Sequence, residues 1–322
     1  FRAAQRLSEP VVPAPAFASR LAAPDADWLT IEPSQLLHCF KHPARYLLEQ
    51  RLGLHLAQGT EVLAGDEPFS VEWTSQHGLR QLALQAIEQN WTEPHERAVA
   101  AASGWLPVGE LGQAYWGQIR GPIRAFAPTL FDERPAEAAQ PLLVDITLAG
   151  VRIHGWLEGV TDEGLFDYRL RDLGAWELAP FWLRHLLLNC AATPGIHRDS
   201  RLLSPKSEWR LGPLANPLEL LQPWLEAYQS ALCEPLPLLA KCSVGFAKKW
   251  RSPGRKEPID AARSEAALMW QGNEHMSGEG DDPWNALAFR DREVLDECFE
   301  ALAEQLYGPA LDALHSEEED EA

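Results

Sequence analysis

The sequence has no long apolar run. Its most apolar stretch, Phe181 to Leu188, is broken by Arg184 and His185, and it falls far short of the roughly 20 residues that span a bilayer. No signal-peptide pattern opens it, so the reading is of a chain with no membrane partner. Cysteine is sparse and unpaired in pattern. Cys39, Cys190, Cys233, Cys242 and Cys298 are an odd number, widely spaced, with no CxxC pair. That excludes a zinc knuckle and a dithiol redox motif and fits reduced, buried thiols in a cytoplasmic protein. There is no phosphate-cradling Walker A loop to hold ATP and no Gly-x-Ser-x-Gly elbow for a hydrolase triad. His95–Glu96 lacks the second histidine of a metalloprotease motif. His38 and His42 stand four apart, but Pro43 disturbs their helix and no third ligand is near. No metal site and no resident cofactor are expected.

Positive charge is also short. Lys and Arg number 28 against 47 Asp and Glu, a net charge of -19. A terminal run, Glu317, Glu318, Glu319, Asp320 and Glu321, carries five of these, which leaves -14. A surface this acidic does not coat nucleic acid, because phosphates need cations. Any DNA contact has to be a focused patch or depend on partner subunits.

The chain does contain material for a large core. It has 322 residues, 46% of them hydrophobic, and 13 Trp, enough for one substantial core or two that share an interface. The 25 Pro and 22 Gly predict frequent turns and broken helices. Phe1 is not a methionine, and Pro10, Pro13, Pro15 and Pro24 follow soon after. Residues 1–27 therefore read as a linker to upstream domains, 28–315 as one domain, and 316–322 as a disordered acidic tail.

Ser34 is placed to cap a short helix with Leu36, Leu37 and Phe40 on its apolar side. Pro43 fits the first turn of a second helix, which stops near Gly53. Further helices are expected over Leu79–Trp91 and Glu96–Ala102. A turn-rich insert at Gly104, Pro107, Gly109 and Gly112 comes next, then mixed apolar character over Ala114–Phe126. From Leu142 to Arg169 the period shortens to that of strands. Leu143–Leu148, Val151–Val160 and Leu165–Arg169 are separated by turns at Gly150 and Asp162–Gly164, which predicts an antiparallel meander. Helices are expected again over Trp176–Cys190, after Asn216–Pro217 (with a possible restart at Pro223), and over Arg290–Leu306. Strands flanked by many helices give an α/β (α+β) fold with a mixed sheet.

Ser34–Gln35–Leu36–Leu37, Phe40–Lys41–His42–Pro43–Ala44–Arg45–Tyr46–Leu47 and Arg51–Leu52–Gly53–Leu54 open a series of motifs. Glu67–Pro68–Phe69, Gly104–Trp105–Leu106–Pro107–Val108–Gly109 and Pro235–Leu236–Pro237–Leu238 follow, and Asp281–Asp282–Pro283–Trp284 through Gly308–Pro309 closes it. In this order the pieces resemble the C-terminal domain of the RecC family, the gamma chain of exodeoxyribonuclease V. The resemblance covers about residues 28 to 312. It implies a nuclease-like PD-(D/E)XK core with a degenerate site, in a subunit that scaffolds a heterotrimer with RecB and RecD. That complex unwinds and degrades DNA from double-strand ends for recombinational repair. The resemblance also implies contacts to the duplex end and the single strands within the complex, with ATP and Mg on the partner subunits.

Active enzymes of that class place an acid on one strand and an acid two residues before a lysine on the next. The acids hold Mg²⁺ and the lysine helps to activate water. Here Gly155–Trp156–Leu157–Glu158 and Asp167–Tyr168–Arg169 fall in those places. Glu158, Asp167 and Arg169 read as vestigial, because a guanidinium stays charged and cannot take a proton from water. The competing reading makes Glu158 and Asp167 ordinary polar positions paired with Arg152 or Arg169. An active Mg-dependent nuclease and a pure protein-docking module are the alternatives in function. Lys248, Lys249, Trp250, Arg251, Arg255 and Lys256 put five cations and one aromatic within nine residues. That composition suits a single-strand contact, or else a solvated loop paired with acids. Trp182 and Trp224 read as core, and Trp270 and Trp284 as anchors for a partner.

Overall fold

The computed structural model describes residue 17 and residues 19–56, 73–137, 139–252, 258–274, 276–290 and 292–316. It is a mixed α/β arrangement around one seven-stranded sheet. The expected meander is present as β2 (Gln140–Leu148), β3 (Val151–Thr161) and β4 (Gly164–Tyr168). Strand β1 (Thr30–Ile31) lies parallel to the start of β3. Two strands that the sequence reading missed extend the sheet: β5 (Ser200–Leu203), parallel to β4, and β6 (Glu208–Leu211), antiparallel to β5. At four residues each they are too short to show a period. The last strand of this sheet, β7 (His315–Ser316), pairs with β6. Residues 317–322, the expected acidic tail, lie outside the described residues, as do 1–16 of the expected linker.

The helices are α1 (Pro33–Lys41), α2 (Pro43–Tyr46), α3 (Trp73–Glu88), α4 (Glu93–Ala102), α5 (Glu110–Glu133), α6 (Ala175–Ala191), α7 (Pro217–Ala231), α8 (Ala240–Trp250), α9 (Pro258–Gln271), α10 (Pro283–Ala288) and α11 (Glu297–Ala313). Several bounds correct the expectation. The cap of α1 is Glu32, not Ser34. Its side chain and that of Gln35 form a reciprocal capping box. Asn216 precedes α7 without a side-chain cap bond, and α7 runs unbroken through Pro223. The late helix starts at Glu297, where the Asp296 carboxylate accepts from the Phe299 N–H, and it continues past Pro309. The largest difference is α5, one helix of 24 residues with Pro122 and Pro128 inside it. Both prolines lie on the exposed side, so the carbonyls they orphan meet water rather than core. Gly112 belongs to this helix, and the Pro107 carbonyl lies so close that a Cβ would collide with it.

The main core joins one sheet face to α1, α6, α7 and α11. Val144, Ile153, Leu165 and Leu202 from the strands meet Trp182, Leu183, Leu186 and Leu187 of α6. Trp182 and Trp224 are fully buried, as expected. Trp224 takes Phe40 edge-on at 4.8 Å and Tyr307 at 5.7 Å. A second cluster, with Phe246, Phe289 and Phe299, binds α8, α9 and α11. A third, built on α3 and α5, packs against Leu170 and Leu203 and against the half-buried Phe166 and Tyr168. The far face of the sheet is therefore covered over β4 and β5. The outward positions of β2 and β3 stay exposed, among them the cross-strand pair Leu143 and Trp156.

Candidate functional site

The cleft between β3 and β4 follows from their pairing. The two strands are hydrogen-bonded only beside their turn, at Val160–Leu165 and Thr161–Gly164. Beyond that β4 leaves β3 and pairs with β5. The separation begins at a bulge. From Leu157 to Val160, β3 takes three steps while β2 takes two from Leu142 to Gln140. The extra residue falls at Glu158–Gly159, and Gly159 has φ +75°, a conformation that costs glycine little. The opening is about 690 Å³ and is lined by Glu32, Trp156, Glu158, Asp167, Arg169 and Arg184 among others.

Glu158, Asp167 and Arg169 thus line one cleft, and Asp167 and Arg169 are engaged there. The Asp167 Oδ1 atom accepts from the Tyr168 N–H at 2.8 Å and lies 3.0 Å from Arg169 Nη1. Its Oδ2 accepts from Arg184 Nη1 at 2.6 Å. Arg184 Nη2 donates at 2.8 Å to the main-chain carbonyl of Glu158. The Glu158 carboxylate is exposed and has no hydrogen-bond partner among the described residues. Arg152, which the sequence offered as its partner, pairs with Asp145 instead, at 2.9 and 2.8 Å.

The residue that motif reading missed is Arg184. It and Pro180, four residues apart on α6, are the only positions between Glu177 and Asn189 that are not fully buried, and both line the cleft. The available signal was a lone arginine inside an apolar helix. Such a charge needs a partner, because an unpaired buried ion is expensive. The next residue, His185, lies in the core. Its Nδ1 is 2.8 Å from Ser200 Oγ, and burial pushes the imidazole down to about 4, so it is neutral at physiological pH.

Active PD-(D/E)XK enzymes use acids at this spacing to hold a divalent ion, but the residues present in this cleft do not fit one. Mg²⁺ asks for several oxygens at about 2.0–2.1 Å in octahedral array. Asp167 has both oxygens committed to N–H groups and guanidinium groups. Among the described residues no group of three or more His, Cys, Asp or Glu side chains could hold a metal ion.

The cationic stretch sits elsewhere. Lys248, Lys249 and Trp250 end α8, with the Trp250 ring stacked on Phe246 at 6.1 Å. Arg251 is turned inward onto its own chain, paired with Glu304 at 2.5 Å and with Asp312. Lys249 is 3.9 Å from Glu265, and Lys248 is exposed. Arg255 and Lys256 lie outside the described residues. Trp270 and Trp284 are half-buried against the second core cluster. Trp270 takes Phe289 edge-on, and Arg45 lies over the Trp284 ring at 5.5 Å.

The motif pieces that carry the family resemblance meet in space. His42 Nε2 lies 3.0 Å from Asp282 Oδ1, across 240 residues of sequence, while His42 Nδ1 accepts from the Arg45 N–H at 3.2 Å. Burial alone would raise the Asp282 carboxyl. The His42 hydrogen bond and the Asn285 and Trp284 N–H groups outweigh it and hold the group below its ordinary value. His42 is therefore a structural tie between α2 and α10. Among the described residues no helix is long and apolar enough to cross a membrane.

A family model described as the RecC C-terminal domain matches residues 28–251. The RecBCD enzyme subunit RecC of Escherichia coli K12 is 29% identical over 286 residues, 86% of this chain and 25% of that protein. RecBCD enzyme subunit RecC of Mycolicibacterium smegmatis is 28% identical over 243 residues, covering 72% of this chain and 22% of the relative. The same subunit from Buchnera aphidicola of Schizaphis graminum is 23% identical over 255 residues, 77% of this chain and 24% of that one. The chain spans about a quarter of the length of these relatives.

Proposed function

The chain belongs to the RecC C-terminal domain family, and from that membership we propose that it is a non-catalytic structural and DNA-channelling domain of a RecBCD-type helicase-nuclease. Residues 28–315 form its nuclease-like domain, and 1–27 connect it to upstream domains. The partners are the RecB and RecD subunits. Through the assembled complex it meets the duplex end and the separated single strands in double-strand-break repair, in the bacterial cytoplasm. ATP and Mg belong to the partner subunits.

The observation that carries the non-catalytic reading is the state of Asp167, bound by Arg169 on one oxygen and Arg184 on the other. A carboxylate held this way is a poor metal ligand, and the arginine in the lysine's place cannot act as a base. The order of acids on adjacent strands β3 and β4 supports descent from a PD-(D/E)XK core. At the end of α8, Lys248 and Lys249 beside the Trp250 ring provide a focused phosphate and base contact on an otherwise acidic chain.

The test is capture of this chain by purified RecB and RecD, run beside a Mg²⁺ and Mn²⁺ nuclease assay on single-stranded and duplex DNA. Stable capture without cleavage is expected. Cleavage that disappears in Glu158→Ala would instead make the domain a working nuclease. Capture by a complex whose DNA affinity is unmoved by charge reversal at Lys248 and Lys249 would reduce it to a docking module.

A further inference from the structure

We propose that Arg184 takes the place of the divalent cation in the β3–β4 cleft, as a permanent cation built into the fold. The proposal rests on reading the cleft as nuclease-like. It adds that the site is filled from within, beyond having lost a lysine.

The geometry points there in three ways. The guanidinium bridges the two strands that would share a metal, with Nη1 on the Asp167 carboxylate at 2.6 Å and Nη2 on the Glu158 carbonyl at 2.8 Å. Its approach is prepared by the strand. The ideal Cβ position at Gly159 is only 2.7 Å from Arg184 Nη2 and 3.4 Å from the Phe166 carbonyl, so a side chain there would push the guanidinium out. The bulge at Glu158–Gly159 is therefore fitted to an arginine entering from α6. Finally, the arginine is held by the core. Only 16% of its side chain is exposed, and the positions around it on α6 are buried.

Exchanging a metal for arginine changes what the cleft can do. A guanidinium keeps its charge at any physiological pH and stays attached to the chain. The oxygens are neutralised whatever the metal concentration, and they are held at hydrogen-bond length, well beyond the coordination distance of Mg²⁺. A free divalent ion approaching Asp167 meets a fixed positive charge within a few ångströms, in a partly buried place where screening is weak.

Iron-mediated backbone cleavage tests this on the whole chain, because Fe²⁺ with ascorbate and peroxide cuts the polypeptide beside a bound ion. Mass spectrometry places the cuts and so separates this cleft from weak binding at the acidic C-terminus. The native protein is expected to show no cuts near Glu158 or Asp167. Arg184→Gln is expected to show them, at roughly tenfold the assay background for loss of one close like charge, and Asp167→Asn added to that variant should remove them. If Arg184→Gln loses its cooperative melt, Arg184→Met, which keeps the apolar stem, takes its place. Cuts at Glu158 and Asp167 in the native protein would overturn the proposal, as would a folded Arg184 variant with none. Native cuts without DNA cleavage would sink this inference alone. Mg²⁺-dependent DNA cleavage that needs Glu158 would sink the non-catalytic reading itself.

Discussion

Two of the arginine–carboxylate clusters on this molecule, the β3–β4 cleft and the end of α8, differ in which arginine matters. In the β3–β4 cleft the decisive residue is Arg184, which no motif contains, and it is mostly buried between two strands. At the end of α8 the arginine that composition selected, Arg251, is bound to Glu304 and to Asp312, whose side chain is two-thirds exposed. A run of cations in sequence counts charges without showing where they point. A lone arginine on an apolar helix says more, because burial forces it to have a specific partner.

Removing Arg184 and removing Arg251 should not cost the same. Arg184→Ala leaves Asp167 short of its buried partner and the Glu158 carbonyl without its donor, and it is expected to cost about 3 kcal/mol in urea denaturation. The neighbouring residue sharpens the point. His185 is buried as the neutral form, with its pKa lowered to about 4 from 6.5. The unfolded chain therefore binds a proton below pH 6.5 that the folded chain refuses until about 4. Stability from this group is complete above 6.5 and is lost as pH falls toward 4, by about 3 kcal/mol in all. Melts across that window should show the slope in the native protein and a flatter one in His185→Gln. Arg251→Ala, at a solvent-screened pair, is expected to cost about 1 kcal/mol and to leave DNA affinity of the assembled complex unchanged. Lys248→Glu is expected to do the reverse, with no change in stability and a loss of roughly threefold in affinity at low salt.

Much of the fold could be read from the sequence because its signals are local. The meander appeared through period and turn residues, α6 through its apolar length, and the stop of the helical run that continues from α2 as a π-helix over Leu47–Arg51 through Gly53 with φ +64°. Non-local features were not readable. β5 and β6 are defined by pairing with β4 and with each other, and α5 carries its two prolines on the exposed side, which only the packed fold defines. The cleft was half legible. Glu158, Asp167 and Arg169 could be found by spacing, and they do line one opening. Which of their atoms are free depends on Arg184 and on a bulge set by the register of β2 against β3, which no spacing rule reveals. The same limit explains His42 and Asp282, a tie closed across 240 residues.

The most direct test of the non-catalytic reading uses Glu158→Gln in the protein assembled with the proposed RecB and RecD partners. Glu158 is exposed and its carboxylate has no hydrogen-bond partner among the described residues, so the variant should assemble normally. DNA degradation and unwinding by that complex at the native rate is the predicted result. Loss of nuclease activity with assembly intact would contradict the account and make this cleft a catalytic one.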